Sequence, residues 1–555
     1  MAERLQPAEM RWWGWGDPAQ PPALGSRAIA YLRENVGISD RPRPPVALAR
    51  VGLPQSRLDD VGLDRLRAIV GSGGVSCEHP IRVLHAAGKG YPDLVRMRAG
   101  TPDGAPDAVV FPRSHEQVAE LLRACAAGSL AVVPFGGGTS VVGGVAPIAG
   151  EHAAVIALDT RRMAEILELD APSRTVTVQG GMRAPALEGK LARHGLTLGH
   201  YPQSFEYVSL GGCVATRSAG QASTGYGAID KMVVGLRLAA PAGEIELEPV
   251  PATAAGPGMR QLVVGSEGAL GVLTEVSLRV RPAPSTGVYE GMFFASFAEG
   301  VEALRRLAGE HSLLPDVVRL SDERETELSL MLAEQGFVKS ALTRAYMGAR
   351  GVAGGCLAIL GFEGSEVEVA FRRHQAKELL RRHGGRPAGS SPGQAWLRGR
   401  FAGPYLRDDL LGQGVMAETL ETAAQWSRLL EVHDVVAGAI SRALSGQGTP
   451  GIVMCHLSHV YETGASLYYT LLARQREGQE IAQWEAVKRA AGDAIRETGA
   501  TITHHHAIGR DHARWLPGEI SPAGLATLRA AKAQLDPSGI MNPGKLLGGQ
   551  EPIRG

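Results

Sequence analysis

The chain has 555 residues, of which 44% are hydrophobic and 21% charged, a composition typical of a globular protein with more than one hydrophobic core. Lysine and arginine together number 57, and so do aspartate and glutamate, so there is no net positive charge to attract nucleic acid. We therefore expect no nucleic-acid partner, and an anionic ligand has to be bound by local charge.

Cysteine use and hydropathy bear on the compartment. The five cysteines (Cys77, Cys125, Cys213, Cys356 and Cys455) form no CxxC pair and are odd in number, which argues against a secreted disulfide framework. The first residues, MAERLQPAEMRWWGWGDP, lack the apolar core of a signal peptide. No apolar run approaches the ~18–20 residues that span a bilayer. These features predict a cytoplasmic protein whose association with a membrane would be peripheral.

The first part of the chain divides into an arm and a domain. Residues 1–102 are rich in Pro, Arg and Gly, and two helical patterns within them predict a helical arm. Residues 103–283 mix short strands with helices and predict an α+β domain. Its expected strands are APDAVVFP, LAVVPF, AVIALD, TVTVQGG, VVGLRLAAPAG and VLTEVSLRVRP. Ser114 is the expected N-cap of a helix with Gln117 completing a capping box, and Gly195 is expected to end the helix ALEGKLARHG.

A second domain is predicted over residues 284–499. Strands such as VYEGMFFASF, CLAILGFEG and GIVMCHLSHV alternate with amphipathic helices, a pattern that favours a sheet covered by helices on one face. Residues 500–555 are expected to complete the first domain and the active site. The Met- and Leu-rich stretch 326–350 is a candidate lid or membrane-facing helix, and an ordinary core helix fits it equally well.

A glycine-rich segment follows the strand LAVVPF. Residues 134–144, PFGGGTSVVGG, place five glycines within nine residues. Without side chains, successive backbone N–H groups can turn toward one concavity and approach an anion closely, and Thr139 and Ser140 add hydroxyl donors. The G-x-G-x-x-G spacing of a Rossmann fingerprint is absent. We interpret the segment as a diphosphate-binding loop, with a tight surface turn as the alternative.

Three further segments combine small residues with hydroxyls: QSFEYVSLGG, TRSAGQ and SEGALGVLTE. Together with PFGGGTS they resemble the FAD domain of the vanillyl-alcohol-oxidase-type flavoproteins. Within that superfamily the chain resembles the alkyldihydroxyacetonephosphate synthase (alkylglycerone-phosphate synthase) family, from MRWWGWGD near the start to HHHAIG near the end. The resemblance implies an α+β fold, with a two-subdomain FAD-binding (PCMH/VAO-type) domain and an α+β cap domain whose antiparallel sheet is covered by helices.

The resemblance also implies which residues contact FAD. They are Pro134, Phe135, Gly136, Gly137, Gly138, Thr139, Ser140, Gln203, Ser204, Phe205, Glu206, Tyr207, Val208, Ser209, Thr216, Arg217, Ser218, Ala219, Glu267, Gly268, Ala269, Leu270, Gly271, Val272 and Leu273. The chain departs from the family at two positions, with Gln203 in place of an aspartate and Cys213 in place of a tryptophan. The glycine-rich loop contains no histidine, so we expect FAD to be bound noncovalently.

Three adjacent histidines, His504, His505 and His506, are the strongest candidates for chemistry. On an extended backbone at most two of them face one pocket. Histidine titrates near neutrality and can move protons, but a metal site, a hydrogen-bonded structural cluster and a polar loop are open alternatives. The resemblance favours catalysis without a metal. It also assigns Tyr468 as the residue that takes a proton from the reacting carbon of the substrate, with Tyr469 as the fallback.

Two arginines complete the predicted site. The planar guanidinium binds phosphate through paired, charge-assisted hydrogen bonds. The resemblance assigns Arg407 to the substrate phosphate and Arg319 to activity. It implies exchange of the acyl group of acyl-dihydroxyacetone phosphate for a long-chain alcohol, which forms an ether without net redox change. We expect these two substrates, a homodimer and peripheral contact with membrane lipid.

The nearest alternative is an FAD-linked dehydrogenase or oxidase of D-2-hydroxy acids such as lactate or glycolate. Many of those enzymes carry an HxGDGNxH-like stretch with metal-binding histidines and a GEHGIG-like stretch near the C-terminus. Here the first region reads HLSHVYETGASLYY, with tyrosine in place of the second histidine. The second reads THHHAIG, with His505 in place of the glutamate. Both departures favour the ether-lipid family, and nothing specific favours a third class, a non-catalytic flavin- or lipid-binding protein.

Overall fold

The computed structural model describes residues 10–17, 24–38, 43–333 and 345–548. Within them the chain folds into four sheets surrounded by helices, which confirms the predicted α+β class. The strands are β1 (Val75–Ser76), β2 (Ala108–Val110), β3 (Leu130–Phe135), β4 (Ala154–Asp159), β5 (Ile166–Asp170), β6 (Thr175–Gln179), β7 (Leu196–Thr197), β8 (Val233–Ala240), β9 (Gly243–Leu247), β10 (Val272–Arg279), β11 (Arg281–Pro282), β12 (Thr286–Phe294), β13 (Val317–Ser321), β14 (Cys356–Gly364), β15 (Arg386–Gly389), β16 (Val415–Gln425), β17 (Ile452–Val460) and β18 (Gly464–Arg474).

The helices connect and cover these strands. They are α1 (Ser26–Asn35), α2 (Asp60–Val70), α3 (His79–Leu84), α4 (Tyr91–Ala99), α5 (His115–Ala127), α6 (Ala184–Ala192), α7 (Leu210–Ala215), α8 (Ser223–Tyr226), α9 (Ile229–Met232), α10 (Met259–Val263), α11 (Phe297–Ala308), α12 (Glu323–Ala333), α13 (Glu366–Arg382), α14 (Ser390–Gly399), α15 (Gly403–Gly412), α16 (Leu429–Gly446), α17 (Glu480–Glu497) and α18 (Leu516–Leu535).

A four-stranded sheet of order β1-β2-β4-β3 carries the glycine-rich segment. Its strands β2, β4 and β3 are parallel, and α5 connects β2 to β3. Ser114 caps α5 by accepting a hydrogen bond from the Gln117 amide at 3.3 Å, as predicted. The predicted capping box is displaced by one residue, because Gln117 Oε1 accepts from the Arg113 amide at 2.8 Å. The glycine-rich segment begins where β3 ends.

A five-stranded antiparallel sheet of order β5-β6-β10-β8-β9 forms the second subdomain. Along β6, Val176 and Val178 are buried and alternate with half-buried polar residues, so one face packs on α6 and α7. The prediction that Gly195 ends α6 is wrong by three residues, because α6 ends at Ala192. Gly195 instead adopts φ +67° in the turn that leads to β7, a conformation that glycine adopts without strain.

The largest sheet is antiparallel, with seven strands in the order β15-β12-β14-β13-β17-β18-β16. One of its faces packs against α11, α13, α16 and α17 in a single hydrophobic cluster, which confirms the predicted helix-covered sheet. Alternation divides its side chains: Tyr469 is buried in that cluster, whereas Tyr468 points to the opposite face. That opposite face borders the cavity described below.

The chain returns to the first sheet near its C-terminus. Met541 forms a parallel bridge with Val132 on β3, and the amide of Asn542 donates to the Val132 carbonyl at 2.8 Å. The turn before this bridge is closed by Asp536, which is 2% exposed. Its carboxylate accepts from the amides of Ile540 (3.0 Å) and Met541 (2.8 Å) and from Lys532 Nζ (2.8 Å).

Two further predictions concern chain segments. Of the candidate lid 326–350, residues 326–333 belong to α12 and residues 334–344 lie outside the described residues. The predicted boundaries at 102/103, 283/284 and 499/500 stay predictions. No helix in the described ranges has both the length and the apolar character needed to cross a bilayer.

Replacing Asp536 with alanine tests the C-terminal turn. We expect Asp536→Ala to lower the free energy of unfolding by about 2–6 kcal/mol, because two buried backbone donors lose their acceptor at ~1–3 kcal/mol each. Thermal denaturation followed by circular dichroism measures the loss. The matched control is Asp434→Ala, since that side chain is 81% exposed. Equal melting temperatures for the two variants would contradict the assignment.

Candidate active site

A cavity of about 580 Å³ borders the face of the seven-stranded sheet opposite α11, α13, α16 and α17, and reaches the glycine-rich loop. This volume is within the range of ~300–1,000 Å³ that is usual for ligand-binding cavities. Its walls come from the loop after β3, from β13, β16, β17 and β18, and from α15. The cavity therefore joins the predicted nucleotide-binding elements to the predicted catalytic residues.

The glycine-rich end of the cavity has the features of an anion site. Among the described residues, no acceptor is found for the backbone N–H groups of residues 136–141, although these residues are buried or half-buried. Gly138 has φ +65°, which turns successive amides toward one side. Buried amide groups are nearly always hydrogen-bonded. The loop therefore fits the diphosphate of FAD, which would accept from these donors.

Most of the predicted FAD contacts line this one cavity. They are Pro134, Phe135, Gly136, Gly137, Gly138, Thr139, Ser140, Gln203, Ser204, Val208, Ser209, Thr216, Ser218, Ala219, Glu267, Gly268, Gly271, Val272 and Leu273. The other six lie outside its lining: Phe205, Glu206, Tyr207, Arg217, Ala269 and Leu270. Some of these six have partners of their own, since Glu206 accepts from Tyr405 Oη at 3.1 Å and Phe205 stacks on Phe401.

The histidine segment is a loop wrapped around one carboxylate, that of Glu421 on β16. This side chain is 3% exposed and accepts from the backbone amides of His504 (2.6 Å), His505 (3.1 Å) and His506 (2.9 Å). It also accepts from Thr503 Oγ1 at 2.5 Å. Sequence reasoning missed Glu421, although an acidic residue in a buried strand is a signal that it needs partners.

A second buried carboxylate holds the other end of the same loop. Glu267 Oε1 accepts from the Ile508 amide at 2.8 Å, and Glu267 Oε2 accepts from the Gly509 amide at 2.6 Å. Burial raises the pKa of Glu267 to about 7. Glu267 lines the cavity, as predicted for an FAD contact, and also positions the histidine loop. Nothing in the sequence indicates that Glu267 positions the histidine loop, because this depends on a contact between residues 241 positions apart.

The two histidines at the cavity and the Glu421 carboxylate differ in their charge state. Burial lowers the pKa of His505 to about 3 and that of His506 to about 4, so both rings are neutral at pH 7. For Glu421, burial acts to raise the pKa, but its contacts with His504–His506, whose backbone amides donate to it, and with the Thr503 hydroxyl hold the pKa well below its usual range. An ionised carboxylate thus lies beside neutral imidazoles that can accept protons.

Two of the three histidines face the cavity. His505 and His506 line it, whereas His504 lies behind them, with Nδ1 2.9 Å from His505 Nδ1 and Nε2 2.6 Å from Tyr461 Oη. His459 on β17 stacks on His504 at 4.9 Å between ring centroids. Nitrogens of His459, His504 and His505 lie within 4.8 Å of one another. Both nitrogens of His504 already have partners, so binding a metal there would break a hydrogen bond.

Tyr468 lies between imidazole rings in the cavity wall. His456 stacks on it at 4.9 Å, His505 stacks on it at 6.0 Å, and His506 meets it edge-on at 5.5 Å between centroids. Burial raises the pKa of Tyr468 to about 12, against a lowering by a hydrogen bond with Thr419. The fallback residue, Tyr469, is fully buried on the other face, and its hydroxyl donates to the Val432 carbonyl at 3.0 Å.

Arg319 reaches the cavity from β13 and is linked to this ring stack. Its Nη2 lies 2.7 Å from Glu325 Oε1, which in turn lies 3.1 Å from His456 Nδ1. The positive charge of Arg319 and the contact with His456 hold the pKa of Glu325 below its usual range in spite of burial. His456 and Glu325 were not among the predicted site residues.

Arg407 reaches the cavity from α15. Its Nη1 donates to the Lys89 carbonyl at 2.6 Å, but its buried Nε and Nη2 have no hydrogen-bond partner in the described structure. The nearest carboxylate oxygen, Asp408 Oδ1, lies 3.6 Å from Nη2. Lys89 also lines the cavity, and burial lowers its pKa to about 8. Free guanidinium donors at a cavity wall are suited to an oxyanion.

The far arm of the cavity is apolar. Its lining contains Leu24 just before α1, Leu32 on α1, Leu410 on α15, and Met454 and Leu472 on β17 and β18. The same side chains form a small hydrophobic cluster between α1 and the large sheet. The predicted helical arm therefore contributes a wall of the cavity. A long aliphatic chain would be stabilised here by about 0.8 kcal/mol per buried CH₂ group.

A methyl group at Gly137 tests the glycine-rich end. The added Cβ would lie 2.4 Å from the Tyr207 carbonyl oxygen and 2.8 Å from Arg183 Nη1, so the loop backbone has to move. We expect Gly137→Ala to weaken FAD binding at least about tenfold, a cost of ~1.4 kcal/mol. Flavin absorbance per protein after gel filtration measures it. The control is Gly446→Ala, because no atom lies within 4 Å of the added Cβ. Equal flavin contents in the two variants would contradict the role of the glycine-rich loop in FAD binding.

Comparison with known proteins agrees with this geometry. Residues 106–247 match a family model described as an FAD binding domain. Residues 283–546 match one described as the C-terminal domain of FAD linked oxidases. The first match contains the glycine-rich loop, and the second contains Tyr468, both arginines and the histidine loop. The protein thus has an FAD-binding domain joined to the domain that accompanies it in FAD-linked oxidases.

Full-length relatives define the family more narrowly. The alkyldihydroxyacetonephosphate synthase of Dictyostelium discoideum is 30% identical over 97% of this chain and 93% of its own length. That of Trypanosoma brucei brucei is 31% identical over 97% and 92%. A solved alkyldihydroxyacetonephosphate synthase structure superposes with a TM-score of 0.83 at 28% identity, covering 96% of this chain and 98% of that one. The chain therefore belongs to the alkyldihydroxyacetonephosphate synthase family of FAD-binding proteins.

Proposed function

We propose that this protein exchanges the acyl group of acyl-dihydroxyacetone phosphate for a long-chain alcohol. The observation that carries the proposal is the single cavity: a diphosphate-binding loop, a tyrosine among neutral histidines, an arginine with free donors and an apolar arm all open into it. A substrate with a phosphate, a reactive ester and a fatty chain matches those surfaces. Membership of the synthase family supports the same reaction.

Bound FAD would supply an electron-accepting centre for the exchange, held by the amides of residues 136–141. We propose noncovalent binding, since the predicted contact set includes neither histidine nor cysteine. Arg407 would bind the substrate phosphate with Nε and Nη2, which have no other hydrogen-bond partner. Its fork geometry gives paired bonds to two phosphate oxygens, which fixes the orientation of the substrate.

Tyr468 would take the proton from the reacting carbon. Its raised pKa means that the phenol is protonated at rest, so it must lose its own proton as it accepts another. The neutral imidazoles of His505 and His506 line the same cavity wall and would accept that proton, against the burial that disfavours an imidazolium there. Glu421 would stabilise the imidazolium that forms, since its carboxylate lies 3.7 Å from His505 Nδ1. Arg319, through Glu325, would hold His456 against the phenol ring.

We include peripheral contact with a lipid phase in the proposal, because both substrates carry long apolar chains. The homodimer expected from the sequence belongs to the same proposal.

An activity comparison separates this reaction from the alternative. We supply purified protein with palmitoyl-dihydroxyacetone phosphate and hexadecanol, and separately with D-2-hydroxy acids and a redox dye. Ether product without dye reduction supports the proposal. Dye reduction without ether product would overturn it in favour of the dehydrogenase.

The two adjacent tyrosines provide a matched pair of variants. We expect Tyr468→Phe to retain flavin absorbance but to form ether at least about 100-fold more slowly, the usual scale of a lost proton-transfer group. Tyr469→Phe removes a hydroxyl that points into the core, so it should lose some stability and keep its turnover. Ether formation measured by mass spectrometry decides between them. Unchanged turnover in Tyr468→Phe would rule out the assigned role.

A further inference from the structure

A chain of three hydrogen-bonded side chains connects the cavity to the protein surface. His505 lines the cavity, and its Nδ1 lies 2.9 Å from Nδ1 of His504. His504 Nε2 lies 2.6 Å from the hydroxyl of Tyr461, a residue that is 38% exposed. We propose that Tyr461, His504 and His505 form a proton relay that carries one proton per turnover from the cavity to solvent. This inference rests on the proposed function.

The reaction itself requires such a route. The bond between the substrate carbon and the ester oxygen breaks, and the acyl group leaves as a carboxylate. A new bond forms between that carbon and the alcohol oxygen, which must release its hydrogen. The carboxylate takes away the electron pair of the broken bond, so one proton is left over in each turnover. It is released in a cavity whose chain-binding arm is apolar, where a charge is poorly solvated.

Each member of the relay can accept and pass on a proton. An imidazole accepts at one nitrogen and donates at the other. A proton taken up by His505 displaces its Nδ1 hydrogen to His504 Nδ1. The Nε2 hydrogen of His504 then passes to the Tyr461 oxygen, whose own hydrogen leaves to water. No net charge has to remain on any of the three groups, and atoms balance at every transfer.

Neighbouring groups fix the positions of the two histidine rings in the relay. The backbone amides of His504 and His505 donate hydrogen bonds to Glu421, which fixes the backbone of both residues. The ring of His459 packs against both imidazoles, with its centroid 4.9 Å from that of His504 and 5.1 Å from that of His505. Ser223 Oγ lies 2.5 Å from His459 Nδ1 and so orients that ring. The ionised Glu421 favours the transient positive charge on His505. Tyr461 is thus the outer end of a positioned path rather than an isolated surface residue.

Removing the Tyr461 hydroxyl breaks the outer link only. We expect Tyr461→Phe to bind flavin normally and to leave KM for both substrates unchanged, while kcat falls about tenfold in dilute buffer. Added imidazole, a small proton carrier, should restore most of the lost kcat, and the solvent deuterium isotope effect on kcat should rise. Tyr346→Phe is the matched control, since its hydroxyl bonds the Pro387 carbonyl at 2.5 Å, away from the cavity lining. It should show none of these changes.

The outcomes separate the relay from the proposed reaction. If wild-type protein forms ether and Tyr461→Phe does so at the same kcat in dilute buffer, the relay is wrong and the reaction stands. A lower kcat that imidazole does not restore would also refute the relay, since it indicates a structural defect. Absence of ether product from the wild-type protein would instead refute the proposed function.

Discussion

Two buried carboxylates fix the position of the histidine loop, and the remainder of the active site depends on that loop. Glu421, from the large antiparallel sheet, binds the amides of residues 504–506, and Glu267, from the segment that precedes β10, binds those of residues 508 and 509. Hydrogen bonds to a charged group such as the Glu421 carboxylate contribute about 1.5–3 kcal/mol each, and a buried carboxylate that loses its partners is destabilising. The loop has no regular secondary structure, so these five bonds define its conformation.

Because one carboxylate comes from each side, the loop also joins the two halves of the cavity. Glu267 itself adopts a positive φ of 52°, within the segment that borders the glycine-rich loop. Asn542, from the returning C-terminal segment, donates to the carbonyls of Glu267 and Gly144 at 2.7 and 3.1 Å. The glycine-rich end and the histidine end of the cavity are thus connected through a few hydrogen bonds to the backbone.

Local sequence rules predicted the elements of the fold well and their long-range contacts poorly. Strand patterns such as LAVVPF and CLAILGFEG correspond to β3 and β14, and Ser114 caps α5 as expected. The helix end at Gly195 was misjudged by three residues, because turn chemistry and not periodicity decides where a helix stops. The glycine-rich loop was predicted because consecutive glycines allow successive backbone N–H groups to turn toward one side.

Within the candidate site, only the residues that belong to recognisable sequence motifs were predicted. The alternation along YETGASLYY places Tyr468 and Tyr469 on opposite faces of the sheet, and the resemblance had selected Tyr468, the one that lines the cavity. Glu421, His456 and His459 escaped notice because their importance comes from strand register, which sets His456 opposite Tyr468 across β17 and β18. Register between strands is not contained in the pattern of either strand alone.

The most direct test of this account is hydrogen exchange at the backbone amides of the histidine loop. We expect the amides of residues 504–506, 508 and 509 to exchange as slowly as those of β16, the strand that carries Glu421, although the loop lies outside regular secondary structure. Exchange of these amides within seconds in the flavin-bound protein at neutral pH would contradict it, since it would show that neither carboxylate holds the loop.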